Sequence, residues 1–266
     1  GDEAGTALTT GDNNVAIGFE ALSTEDADGR NTAIGYRALK TQNAGSDAFN
    51  TAIGSDAGYL ITTGLFNVLV GGNAGDALTD ADRNTAIGVG SLGADTKGSK
   101  STAVGQGSLG AQNFTTSTDT FNTAVGFEAG NDITTGLRNN FIGGLAGDAT
   151  TDADDNIALG YNSLGANTVG SRSVAVGTDA LATQNPATAT DMYNTAVGYD
   201  AGQEITTGTF NSLVGGLAGD ALTDADYNTA LGYQSLTQDQ LGSLSVAVGA
   251  FALTAQRFTT ATNSFN

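Results

Sequence analysis

The sequence predicts an all-β fold, a parallel β-solenoid with about one coil per 17 residues, and three observations predict it. A short apolar unit ending in glycine recurs along the whole chain, its spacing is too small for a repeat of helix plus strand, and 39 glycines stand against a single proline in 266 residues. Such usage departs from ordinary globular composition and points to a repeat architecture.

The unit reads Asn14-Val-Ala-Ile-Gly18, Asn31-Thr-Ala-Ile-Gly35, Asn50-Thr-Ala-Ile-Gly54, Asn67-Val-Leu-Val-Gly71 and Asn84-Thr-Ala-Ile-Gly88, and it continues to Ser245-Val-Ala-Val-Gly249. From the marker glycine at 54 the gaps run 17, 17, 17 and 21, and then the same four again, which defines a four-coil super-repeat of 72 residues. Ile61-Thr-Thr-Gly64, Ile133-Thr-Thr-Gly136 and Ile205-Thr-Thr-Gly208 show the longer period directly. A 17-residue coil holds two short strands and two turns, the size of a solenoid rung.

Each element of the rung has a reason. The residue before the marker glycine is Ile, Val or Leu throughout, as in Ile17, Val104 and Leu231. At about 4.8 Å per rung these side chains form a continuous ladder. Thr or Val two positions earlier lies on the same face and Ala between them on the other, so the expectation is that the Ile/Val/Thr face is core and the Ala face packs closely against something. A Thr ladder at Thr32, Thr51, Thr85, Thr123, Thr195 and Thr229 suggests ice binding, but on a core face it would be buried. Leu69, Phe141 and Leu213 replace the Ala where the rung carries the double glycines 71–72, 143–144 and 215–216, bulk added where a neighbouring side chain is removed. Asn opens eleven of the fourteen complete rungs and Ser the other three, which suits an in-register amide ladder at a corner. The glycines read as bends or close rung contacts; Gly-x-Gly at 105 and 107 lacks the following helix of a nucleotide fingerprint.

Composition narrows the function. With no Cys, His or Trp and one Met, the residues that most often serve as thiolate nucleophile, imidazole base or soft-metal ligand are missing. No catalytic residue is assigned, and no enzymatic role is expected. A net charge of −19 repels phosphate backbones and anionic lipid, so nucleic acid is not an expected partner, and no apolar run is long enough for a membrane span.

Two features carry binding candidates. Asp76, Asp80 and Asp82 recur as Asp148, Asp152, Asp154 and as Asp220, Asp224, Asp226; such carboxylate density suits calcium, although solvated turn residues are the preferred explanation of the triplets, and Asp26 with Asp28 before a glycine is a more calcium-like arrangement. The longer fourth loop, Ala111 to Phe121 and its counterparts from Thr183 and Ala255, is polar and expected to project. Its Gln112, Asn113 and Phe114, with Gln184, Asn185 and Gln256, have the hydrogen-bonding and stacking chemistry of a glycan site; packing of Phe114 and Phe121 onto the coil is the alternative.

The units Asn31-Thr-Ala-Ile-Gly-Tyr-Arg-Ala-Leu39 and Asn228-Thr-Ala-Leu-Gly-Tyr-Gln-Ser-Leu236 resemble the head repeats of trimeric autotransporter adhesins and similar repeats in bacteriophage tail fibres. The resemblance covers essentially residues 1–266 and implies a left-handed β-roll, three chains side by side, and a place on a cell surface or virion. Independently, each coil has few apolar side chains, so a single thin solenoid is expected to associate with copies of itself. The chain then reads as one continuous segment, residues 1–266, of a longer array, since Gly1 aligns with Gly54 and Asn266 with Asn50. The expected function is the structural shaft of an extracellular or virion fibre; the alternative is an adhesin module whose long loops contact a surface glycan receptor.

Overall fold

The computed structural model describes residues 1–27 and 29–266, and Asp28 lies outside them. The chain is all-β, a parallel β-solenoid in two compact units, Gly1–Thr135 and Gly136–Asn266. The first contains β1 (Val15–Ile17), β2 (Thr32–Ile34), β3 (Thr51–Ile53), β4 (Val68–Val70), β5 (Thr85–Ile87), β6 (Gly98–Ser99), β7 (Thr102–Val104), β8 (Thr118–Asp119) and β9 (Thr123–Val125). The second contains β10 (Asn140–Ile142), β11 (Ile157–Leu159), β12 (Gly170–Ser171), β13 (Val174–Val176), β14 (Thr190–Asp191), β15 (Thr195–Val197), β16 (Ser212–Val214), β17 (Thr229–Leu231), β18 (Gly242–Ser243), β19 (Val246–Val248) and β20 (Thr262–Asn263).

Within each unit the three-residue strands stack in parallel and in register, Val15 against Thr32, Ala16 against Ala33 and Ile17 against Ile34 in the first, Thr195 against Ser212 and Val197 against Val214 in the second. The two-residue strands form separate pairs, β6 with β8, β12 with β14 and β18 with β20, each linking a long coil to the one before it.

The expected amide ladder runs inside the coil. Asn50, Asn67, Asn84, Asn194 and Asn211 are buried and accept, through Oδ1, the backbone N–H of the next rung's opening residue: Asn67 N to Asn50 Oδ1 at 2.8 Å, Asn228 N to Asn211 Oδ1 at 3.0 Å. The Nδ2 of each donates to a carbonyl 14 residues on, as from Asn211 to Ala225 at 2.7 Å. In the coils opened by Asn50, Asn67, Asn84, Asn194, Asn211 and Asn228 one residue type thus satisfies a buried donor and a buried acceptor, which a side chain without both groups cannot do; the Asn31 Nδ2 is buried without such a partner.

The two faces of the strand are the reverse of the expectation. The middle residue points inward, so Ala33, Ala86, Ala175 and Ala230 are completely buried, whereas the Ile/Val/Leu and Thr/Val residues on either side point outward. At the strand the interior is too thin for a row of branched side chains in addition to those that the following turn inserts. Small residues fill it at the strand, and Leu22, Leu39, Leu92 and Leu164 fill it from the following turn.

The bulky exceptions fit the same geometry, but not against the double glycines. A Cβ on Gly58 or Gly75 would stand 2.8 Å from the Leu69 methyls, and one on Gly147 would stand 2.6 Å from the Phe141 ring. The removed side chains that make room for Leu69 and Phe141 are therefore at 58, 75 and 147. A Cβ on Gly72 would meet nothing nearer than the Ser55 carbonyl at 4.0 Å.

Candidate functional site

Because the branched residues face outward, each unit presents an apolar sheet face. Ile17, Ile53 and Ile87 in the first unit and Ile142, Leu159, Leu231 and Val248 in the second are exposed, the most open being Val248 at 63 %. The premise that buried the Thr ladder falls with it: Thr32, Thr51, Thr85, Thr123 and Thr195 are half-buried and Thr229 is exposed. A contiguous exposed apolar face is a mark of an interaction surface, and here it is built by the repeat itself, rung by rung.

One edge of that face carries a ladder that the sequence reading missed. The residue before each opening Asn or Ser sits at a corner with positive φ, and it is often aromatic or cationic: Arg30, Phe49, Phe66, Arg83, Lys100 and Phe121 in the first unit, with φ from 52° to 65°. Phe49 stacks on Phe66 at 5.5 Å, with Arg30 and Arg83 over the outer rings at 5.2 and 5.3 Å. In the second unit Tyr193, Phe210 and Tyr227 stack in series at 5.3 and 4.8 Å, with Arg172 over Tyr193. Aromatic side chains are unusual in the left-handed region; stacking along the ladder offsets that cost by roughly 0.5–1.5 kcal/mol per pair. The rings turn their faces to one another, and their edges are what solvent meets. The signal was in the sequence, in Phe or Tyr directly before Asn50, Asn67, Asn122, Asn194, Asn211 and Asn228.

Asp82 Oδ1 accepts the Leu65 amide at 2.8 Å, Asp154 Oδ1 the Leu137 amide at 2.8 Å, and Asp226 Oδ1 the Thr209 amide at 2.7 Å, so the last Asp of each triplet ties one rung to the previous one. Asp80 and Asp152 accept from the neighbouring Thr79 and Thr151, and Asp224 from Thr207 in the preceding rung. Asp76 accepts from Asn73 and Asp220 from Thr237, while Asp148 lies in the corresponding turn. Asp26 is exposed and contributes its carbonyl to Thr9. Among the described residues no group of three acidic side chains is close enough to hold one metal ion.

The long loops do not present all of their candidates. Gln112 and Gln184 are completely buried and Phe114 nearly so, which leaves these three no access to a glycan; Gln256 is half-buried, and Asn113 and Asn185 are exposed. Gln112 Nε2 donates to Asp95 Oδ2 at 2.5 Å and to Ser101 Oγ at 2.9 Å, and Asp95 Oδ1 accepts the amides of Gly98 and Phe114. Gln256, Asp239 and Ser245 repeat the arrangement. These Gln residues anchor the root of each loop, and the tip Thr115-Thr116-Ser117 is what solvent meets.

Burial holds the Asp95 carboxyl above the usual carboxylate range, against the lowering effect of the Gln112, Phe114 and Gly98 hydrogen bonds. The folded chain therefore binds this proton more tightly than the unfolded chain does. The contribution to stability is complete below the unfolded value and is lost as pH rises through the raised folded value. Asn167 occupies the equivalent place in a later coil, donating to the Gly170 carbonyl at 2.7 Å and accepting its amide at 3.0 Å. Asp95→Asn is accordingly expected to fold and to show a shallower loss of melting temperature than the native chain as pH rises from about 4 toward neutrality, measured by circular dichroism across that range.

No family model matches the chain, and no curated protein or solved structure is significantly similar to it.

Proposed function

We propose that the chain is a shaft segment of an extracellular fibre, on a cell surface or virion, in which copies of the chain cover one another's apolar faces. The observation that supports this most is the outward ladder of Ile, Val and Leu. Covering a half-exposed residue of this kind is worth on the order of 1 kcal/mol, and seven stacked rungs in each unit offer enough of them to hold copies together. The resemblance to trimeric autotransporter heads and tail-fibre repeats makes the assembly a homotrimer and the coil left-handed. In this reading the mechanism is rigid extension with multivalent display, and no residue is assigned a catalytic role.

If copies cover the face, dissociation accompanies unfolding, and the melting temperature rises with chain concentration. Melting curves over a hundredfold concentration range are expected to shift upward by several degrees; a concentration-independent transition would argue for a self-sufficient single solenoid.

A second reading is supported by the exposed loop tips around Thr115–Ser117 and by the exposed Asn113 and Asn185. There the same scaffold is an adhesin whose loops contact a surface glycan. A glycan array probed with the folded chain separates the two: silence fits a passive shaft, and a specific signal abolished by Asn113→Ala together with Asn185→Ala moves the assignment to the adhesin.

A further inference from the structure

We infer that the corner formed by Asp179 and Asp200 in the Gly136–Asn266 unit holds a divalent cation, a hard oxygen-seeking ion of the calcium type. The inference is independent of the fibre reading. It starts from one position of the coil, the second residue past the marker glycine, compared between coils.

Arg37 and Asp56 occupy that position after Gly35 and Gly54, and they form an ion pair, Arg37 Nε to Asp56 Oδ1 at 2.7 Å. Asp179 and Asp200 occupy it after Gly177 and Gly198. The backbone is the same in both places, with φ of 53° and 57° for the first pair and 55° and 51° for the second. Each later residue donates its amide to the earlier coil, Asp56 to the Tyr36 carbonyl at 2.8 Å and Asp200 to that of Thr178 at 3.1 Å. A carboxylate therefore stands where the other coil has a guanidinium. Gly107 and Glu128 provide a third case, in which the earlier position has no side chain at all.

Asp200 is only 8 % exposed, and its Oδ1 is enclosed without a hydrogen-bond partner. Asp179 Oδ1 accepts from Asn162 Nδ2 at 2.6 Å, a neutral donor that leaves the charge in place. Among the described residues no Lys or Arg pairs with Asp179, Asp200 or Asp220. Burial first, and the Asp179 charge after the opposing Tyr199 hydrogen bond, raise the Asp200 carboxyl; burial first, with Asp200 contributing last, raises Asp220. An enclosed carboxylate beside a second one needs a positive partner. Where Arg37 supplies it from within the chain, this corner has no cationic side chain of its own, and two carboxylates match a divalent ion bound through oxygen.

The test is calcium uptake by the chelator-treated 266-residue chain, followed by calorimetry with calcium chloride alone. The expected result is that Asp200→Asn and Asp179→Arg each bind one ion fewer per chain than the native protein. Asp179→Arg is also expected to melt in chelator at or above the native temperature, because it rebuilds the Arg37–Asp56 pair. Should that variant fail to fold, Asp200→Asn decides alone. Equal stoichiometry in the native chain and Asp200→Asn would overturn the site, whether calcium bound only to the acidic loops or not at all, and would leave the pair to share a proton.

Discussion

Replacing Gly198 by valine is expected to unfold its rung and the coils that stack on it. Gly198 has φ of +144°, a region closed to residues with a side chain, and a Cβ there would sit 2.4 Å from the Gly215 carbonyl oxygen of the next rung. The backbone conformation alone costs roughly 1–3 kcal/mol, and the clash is with main chain that the parallel ladder holds in place. Together they amount to about 3–5 kcal/mol. In a one-dimensional stack that loss falls on a rung and its two neighbours, so amide exchange should accelerate most between about 195 and 217. Asp119→Ala is the contrasting case. Its carboxylate pairs with Lys100 on the surface, so the change is expected to stay within about 0.5 kcal/mol. Indistinguishable melting curves for the two variants would contradict the assignment of the marker glycines.

The second large effect concerns association. Asp in place of Ile53 and Ile87 in the first unit, and of Leu159 and Leu231 in the second, is expected to abolish self-association while leaving the parallel β signature in circular dichroism intact. All four side chains point away from the coil interior, so the fold does not depend on them. A copy docked on this face would have to bury four uncompensated carboxylates, several kcal/mol each. The inward counterpart Leu213→Asp is expected to unfold its coil, since Leu213 is completely buried against the space left by Gly202 and Gly219. If the four-site variant unfolded as readily as Leu213→Asp, the outward assignment of the ladder would be wrong.

The register of the fold was legible because it is written in spacing. The marker glycines and the opening Asn residues recur in step, and only in-register stacking lets Asn50, Asn67 and Asn84 bond one another along the axis. The sidedness was not legible. A Thr-Ala-Ile strand alternates correctly for either orientation, and hydrophobicity alone assigns Ile to the core. What decides is the cross-section: a coil this thin has room for Ala33 and Ala52 but not for Ile34 and Ile53. The double-glycine rungs misled for a related reason, since the residues that yield space to Leu69 are Gly58 in the previous turn and Gly75 in the next, not the adjacent Gly72. The long loop was located, yet Gln112 and Gln184 proved to be its roots. A polar side chain in a loop says nothing of its direction until its partners, here Asp95 and Ser101, are known. The Asp179–Asp200 corner could not be found from sequence, because it emerges only when the same turn of different coils is superposed with its partners.

Light scattering during size exclusion shows whether the outward ladder is covered by copies of the chain. One chain has a mass of 26.5 kDa. The expected result is a stable species at about three times that mass, collapsing to a single chain in the four-site Asp variant. A native protein that elutes as a folded monomer at every concentration would contradict it.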